Sequence, residues 1–332
     1  MTIAPNVVVG GGIVGLLAAW YLSEAGERVV VLDRCRIGGE SSWAGAGILS
    51  PLYPTRYPRL LPLVRHSADE YPRLVKEVVR LGGADPELAA SLLIVLDEEV
   101  KTEDKQKSQP MRVVTSSVLK QVEPALKANS EYAGCYSIAQ IRNPRFLAGL
   151  RTALTKKGVI FLEAREVHGF KWDKDYLTGI LTAGGAIGAS RCMVSAGAWT
   201  GKLLKHVGLA LPIKPIKGQI LVFAAKRRLV IHVVVKNYRY LVPRMDGRIL
   251  VGSTIEDVGF DKSPTLDARE ALYNAAVSLV PALAKYPIEH HWAGLRPGSP
   301  DDAPFIGEHP GIKGLFVCAG HYRNGFATGP AS

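Results

Sequence analysis

The chain has 332 residues, roughly two domains at about 150 residues each, and its 34 glycines carry no period, which excludes a collagen-like repeat. Lys and Arg number 41 against 30 Asp and Glu, a formal charge of +11, yet the longest basic run is Lys226-Arg227-Arg228; so scattered a surplus argues against nucleic acid as a partner and fits an anionic small-molecule ligand. Cys35, Cys135, Cys192 and Cys318 stand far apart with no CxxC pair, which excludes a zinc knuckle or disulfide framework and fits a reducing, cytoplasmic compartment.

Residues 1 to 23 are uncharged and resemble a signal peptide or membrane span in composition. No basic residue precedes the apolar run, and Gly10, Gly11 and Gly12 interrupt it, so we expect no membrane association. Val7 to Val9 predicts a strand. Ile13, Leu16, Leu17 and Trp20 then recur at helical spacing until Gly26, and Val29 to Leu32 predicts a second strand ending in Asp33. Strand, turn, helix and strand within about 30 residues have the length of a βαβ unit. Gly10, Gly12 and Gly15 spell G-x-G-x-x-G at the turn. Gly10 permits the turn, Gly12 lets the backbone approach a pyrophosphate, Gly15 lets helix and strand pack, and the helix N-terminus faces the anion. Asp33 can accept hydrogen bonds from ribose hydroxyls. This fingerprint reads as dinucleotide binding and leaves FAD and NAD both open.

Glu40 to Leu49 (ESSWAGAGIL) is a polar pair followed by small residues. It suits a backbone pressed against a flat ring system, with the Ser41 and Ser42 hydroxyls free for phosphate; a surface loop is the alternative. Residues 83 to 138 show no strong pattern and are assigned to a second domain. Asn143 predicts a helix cap followed by Pro144 at the first helical position, with Phe146, Leu147, Leu150 and Leu154 on one face and a strand from Val159 to Leu162 after Gly158. Cys192 to Ala196 predicts a strand and Thr200 to Val207 a helix. These units predict one parallel α/β sheet interrupted by other material. Between residues 215 and 255 lie four β-rich runs, Lys217 to Phe223, Leu229 to Val235, Tyr238 to Val242 and Arg248 to Ser253, with a turn at Asp246-Gly247; an antiparallel meander is expected, then a helix from Leu266 to Lys285. His290 and His291 are adjacent, so on a strand they point to opposite faces, and no metal is expected. Ser253 lacks a G-x-S-x-G elbow, which leaves hydrolase chemistry unsupported.

The chain resembles the D-amino acid oxidase family of flavoproteins, and within it the glycine oxidases of thiamin biosynthesis. The matching stretches are Val7 to Gly15, Glu40 to Tyr53 (ESSWAGAGILSPLY), Ser195 to Trp199 (SAGAW), Lys217-Gly218-Gln219, Tyr240 to Arg244 (YLVPR), Ile249 to Thr254 (ILVGST), Trp292 to Pro300 (WAGLRPGSP) and Gly320 to Gly325 (GHYRNG), in family order over nearly the whole chain. The resemblance implies FAD as cofactor. Its contacts are expected at Gly10, Gly12, Ile13, Val14, Gly15, Asp33, Arg34, Ser41, Ser42, Ala46, Gly47, Ile48 and Val167. Ala196, Gly197, Trp199, His321, Tyr322, Arg323, Asn324, Gly325, Phe326 and Ala327 complete the expected set. The implied fold class is α/β, with an FAD-binding Rossmann-like domain of the glutathione reductase type from residues 1–82, 139–213 and 295–332. The implied second domain, α+β on an antiparallel sheet, takes 83–138 and 214–294 and binds the substrate.

The implied reaction is oxidation of glycine, sarcosine or small D-amino acids to an imine by hydride transfer from Cα to flavin N5. Glyoxylate, ammonia and H2O2 follow, or the imine supplies the thiamin thiazole through a thiazole synthase. Glycine-like substrate, O2 and further copies in a homo-oligomer are the expected partners. A guanidinium grips a carboxylate with two parallel hydrogen bonds, and inside WAGLRP the resemblance makes Arg296 that clamp. It makes Tyr240 a second donor to the same carboxylate and Arg323 a second active-site arginine. A neutral amine loses hydride directly, so no acid or base is required, and His321 suits a cofactor-facing loop. Two other readings remain: a dehydrogenase passing electrons to a partner protein, like the hydrogen cyanide synthase subunit that shares WAGLRPGSP, and a flavin domain of a tRNA-modifying enzyme. Tyr238 departs from the histidine of some family members. The resemblance implies a C-terminal helix whose N-terminus faces the flavin; at Ala331-Ser332 either that helix is cut off or its electrostatic support for reduced flavin is missing.

Overall fold

A parallel strand covered on both faces has no solvent side, and Asn6–Val9 (NVVV) is buried at all four positions. It pairs in parallel with Val29–Leu32 on one side and Arg191–Val194 on the other. Ile160–Leu162 and Ile312–Ala319 extend these to a parallel core of five strands. The computed structural model describes residues 4–50, 58–96, 112–127 and 131–332. Pro51 to Tyr53, the end of the ESSWAGAGILSPLY stretch, lie outside the described residues.

Side chains alternate across this sheet. Val8 and Val31 pack with Leu16, Trp20, Tyr71 and Phe146 of the helices Ile13–Glu24, Leu61–Arg80 and Asn143–Lys156. Val7, Val9, Val30 and Leu32 face the other way, against Phe170, Leu177 and Leu204. A carbon added at Gly15 would stand 1.9 Å from the Gly10 carbonyl oxygen, so only glycine lets the first helix approach the strand before it. The amphipathic Leu61–Arg80 helix was not anticipated; Pro72 sits on its exposed side, opposite the buried Val64, Tyr71, Leu74 and Val78.

The second sheet runs in the order Ile288–Gly298, Lys214–Phe223, Ile249–Gly252, Arg239–Pro243, Val233–Lys236, Ala89–Val95, Tyr132–Gln140, Ile48–Leu49. It corrects the expected meander in two respects. Lys214–Phe223 lies between Ile288–Gly298 and Ile249–Gly252 and not beside Val233–Lys236, and Val233–Lys236 pairs in parallel with Ala89–Val95. The connection from 224 to 232 ends at Ile231 and His232, whose amides donate to the buried Glu123 carboxylate just before Val233–Lys236 begins. The expected helix 266–285 is also split: Leu266–Leu279 ends before Pro281, which starts a separate 3-10 turn. The expected boundaries 138/139 and 294/295 fall inside the strands Tyr132–Gln140 and Ile288–Gly298.

This sheet also has two distinct faces. Ile94, Leu221, Val234, Leu241 and Val251 pack on Leu272, Ala276 and Leu279 of the Leu266–Leu279 helix. Leu93, Ile220, Val235 and Val242 point oppositely and cluster with Ala46.

Candidate active site

A cavity of about 660 Å³, within the ~300–1,000 Å³ of ligand and cofactor sites, lies where the carboxyl ends of the parallel strands meet that second apolar face. Val9, Leu32, Cys318 and Ala319 line it from one side and Leu93, Gly218, Ile220 and Val235 from the other. Every expected cofactor and catalytic residue lines it except Gly15, which is buried in the helix–strand contact.

At the dinucleotide end, Gly12 caps the Ile13–Glu24 helix without a side chain, and the Ile13 amide instead donates to Ser42 Oγ at 3.0 Å. Asp33 accepts from the Gly11 and Cys35 amides, each at 2.8 Å. Burial pushes its carboxyl above the usual range, and those two amides pull it back. The Arg34 guanidinium lies 3.5 Å over the Trp199 ring and pairs with Glu40 at 3.1 Å. Asn143 is not the expected cap: it is the first helical residue, Arg142 takes the cap position, and the Asn143 amide reaches across to the Ser42 carbonyl at 2.9 Å.

Arg296 marks the other end. A carbon added at Gly218, directly across from Gly294 in the register, would stand 2.2 Å from both terminal nitrogens of its guanidinium, so the glycine makes the room that Arg296 occupies. The guanidinium donates to the Lys217 carbonyl at 3.4 Å, the Thr254 carbonyl at 3.2 Å and Ser253 Oγ at 2.6 Å. All are neutral groups, and Arg296 pairs with no carboxylate among the described residues. Burial lowers its pKa, with Tyr240 and Tyr322 pulling the other way and Arg323 adding to the cost of its charge.

Tyr240 stands beside it, its ring over Gly252, where an added carbon would be 2.5 Å from the phenol oxygen. Burial raises the phenol above the usual tyrosine range, against the pull of Arg296 and Ser253. The Tyr322 amide donates to the Pro297 carbonyl at 3.0 Å and so brings Arg323 to the same site, where the Arg323 guanidinium lies 4.8 Å from the Tyr322 ring. His321 is buried, held by Ser332 Oγ at 3.1 Å, and its pKa is lowered to about 4 by desolvation, so its ring is neutral. Tyr238 sits at the rim, 57% exposed.

Sequence reading missed Gly218, Gly252, Ser253 and Asn143 as functional neighbours. For Gly218, Gly252 and Ser253 the signal was available in the KGQ and ILVGST stretches, but the strand register that aims them at Arg296 was not; Asn143 carried no such signal.

The family model described as DAO, FAD dependent oxidoreductase, matches residues 6–332. The chain belongs to that family. FAD is accordingly its cofactor, and the residues present fit it. Arg323 Nε and Asn143 Oδ1 are buried without a partner among the described residues, Gly45, Ala46 and Gly47 line the cavity, and the N-terminus of the Ile13–Glu24 helix lies at the dinucleotide end. The relatives include the glycine oxidase of Pseudomonas putida, 43% identical over 98% of this chain and 91% of its own. The crystal structure of glycine oxidase from Geobacillus kaustophilus superposes with a TM-score of 0.91 at 30% identity, covering 98% of this chain and 91% of that one. Hydrogen cyanide synthase subunit HcnC of Pseudomonas protegens is 29% identical over 97% of this chain and 88% of its own. As a DAO-family member the protein is an FAD-dependent oxidoreductase with the mixed α/β architecture of these structures. No helix among the described residues is long and apolar enough to cross a membrane.

Proposed function

We propose that this protein oxidises glycine, with sarcosine and small D-amino acids as further substrates, to the imine, which water converts to glyoxylate and ammonia. One observation carries the reading: a half-buried guanidinium with no carboxylate partner among the described residues lines the wall of the FAD cavity. Such a cation stands ready for the carboxylate of a small zwitterion. When bound, FAD would supply the two-electron oxidation at Cα, with O2 as the terminal acceptor and H2O2 as its product.

The chain's own residues orient and enclose. Arg296 takes the carboxylate in a forked contact, and Tyr240, kept a neutral phenol by burial, donates to the same group. Leu93, Ile220 and Val235 present an aliphatic wall that excludes water and offers no partner to a charged side chain, which favours hydrogen or methyl at Cα. Arg323 adds positive charge at the same site. His321, neutral and tied to Ser332, takes no part in proton transfer. On this reading residues 1–82, 139–213 and 295–332 serve FAD, and 83–138 with 214–294 serve the substrate. The imine is the form a thiazole-building reaction would consume.

Air-saturated, FAD-loaded protein mixed with glycine tests the proposal. Glyoxylate and H2O2 should appear in equal amounts. Glyoxylate formed only with an added dye acceptor points to the dehydrogenase reading that the likeness to the HcnC subunit supports. No glyoxylate with either acceptor overturns both.

A further inference from the structure

Next to Gly218 on the same strand lies Lys217, a lysine only 2% exposed for which the proposed chemistry has no task. A buried ammonium needs partners for its three donors. Lys217 Nζ finds the Glu256 carboxylate at 3.1 Å, the Asp261 carboxylate at 3.7 Å and the Ser263 carbonyl at 3.3 Å. The Lys217 and Glu256 backbones exchange hydrogen bonds of 2.9 and 3.0 Å. Glu256 Oε1 in turn accepts from Gln219 Nε2 at 2.9 Å and from the Thr254 hydroxyl, and Thr254 Oγ1 accepts from the Gln219 amide at 2.9 Å. The segment so fastened carries Ser253 Oγ and the Thr254 carbonyl, which hold the Arg296 guanidinium, while the Lys217 carbonyl supplies the third contact.

We propose that Lys217 is a positioning residue: its ammonium, through Glu256, pins the 253–263 segment so that Ser253 and Thr254 aim Arg296 at the substrate carboxylate. The inference rests on the reading of Arg296 as that clamp. Arg296 lies between neutral oxygens and has no ion pair among the described residues to fix it, so its aim depends on how firmly those oxygens are held. Without the ammonium, Glu256 loses its closest cation and the segment its fastening; breaking a buried pair by removing one partner is far costlier than replacing both.

The test uses full-length, FAD-loaded wild type, Lys217→Met and Lys217→Arg. Acetate, a carboxylate that cannot be oxidised at an α-amine, is titrated by its perturbation of the flavin spectrum, alongside glycine kinetics and the Kd for FAD. Lys217→Met should raise the acetate Kd and the glycine KM by about tenfold or more, with kcat changed less than about threefold and the FAD Kd unmoved. Lys217→Arg, which keeps the charge toward Glu256, should recover most of the loss. Wild-type acetate binding in Lys217→Met, or equal losses in kcat, KM and FAD affinity that arginine does not rescue, overturns the inference. If Lys217→Met does not fold, Glu256→Gln carries the same test with the same expected split. If wild type itself shows no acetate response, the clamp reading fails and takes this inference with it.

Discussion

Replacing Gly218 with alanine separates the clamp from the fold. The added carbon would stand 2.2 Å from both terminal nitrogens of Arg296 and 2.4 Å from its Cζ, where ordinary contact begins at 3.4 Å. The guanidinium must therefore withdraw by about 1.2 Å, leaving its 2.6 Å bond to Ser253 Oγ. The obstructed atoms are the end of a flexible side chain and Gly218 is not in the left-handed region, so the strand itself can keep its register. Alanine in a strand is about 0.5–1 kcal/mol better than glycine in chain entropy, which offsets local adjustment. A misplacement of about 1 Å costs on the order of 100-fold, or about 2.7 kcal/mol at 1.36 kcal/mol per decade. Steady-state peroxide formation from glycine should show kcat/KM down about 100-fold, with Tm within a few degrees of wild type and FAD retained. A wild-type kcat/KM refutes the reasoning. So does a variant that melts early or sheds FAD, since the backbone and not the guanidinium would then have absorbed the collision.

Truncating Arg296 to alanine removes hydrogen bonds to a charged group, about 1.5–3 kcal/mol, so the glycine KM should rise roughly 10- to 150-fold; an unchanged KM contradicts its role. Gly15→Ala puts a carbon 1.9 Å from the Gly10 carbonyl, backbone against backbone, and should cost about 1–3 kcal/mol or more with loss of FAD binding, visible in Tm and flavin fluorescence. His321 titrates near 4 in the fold against 6.5 unfolded, so the unfolded chain takes the proton first as pH falls. Stability present at neutral pH is then lost from about pH 6.5 downward, reaching roughly 3 kcal/mol near pH 4. His321→Gln should flatten that part of the urea midpoint against pH, and an unaltered slope would disprove the assignment.

What was legible in the sequence depended on how far apart the interacting residues are. The strand, glycine turn and helix from Asn6 to Glu24 could be read directly, because each determinant acts on its immediate neighbours. No element was expected over Leu61–Arg80, where Pro62 sits in the first turn and Pro72 faces outward, so that neither breaks the helix. Ala89–Val95 and Tyr132–Gln140 escaped because AASLLIV and YAGCYSIAQ lack a clean alternation, both faces of these strands being covered, with Ile94 and Cys135 on one side and Leu93, Val95 and Ile138 on the other. The order of the second sheet pairs Val233–Val235 with Leu93–Val95, and Glu123 holds amides more than 100 residues away beside that strand; no local pattern encodes contacts so distant. The site shows the same division. Arg296 and Tyr240 stood out through family motifs, whereas the groups that aim Arg296 come from 42 to 79 residues away along the chain and meet it only through strand register.

The central claim is that Arg296 presents a small amino acid to FAD in this cavity, and anaerobic mixing of FAD-loaded protein with glycine tests it most directly. Glycine should bleach the oxidised flavin bands of the wild type, and Arg296→Ala should stay yellow at the same subsaturating concentration. A wild type that keeps its colour, or an Arg296→Ala protein bleached equally fast, would contradict it.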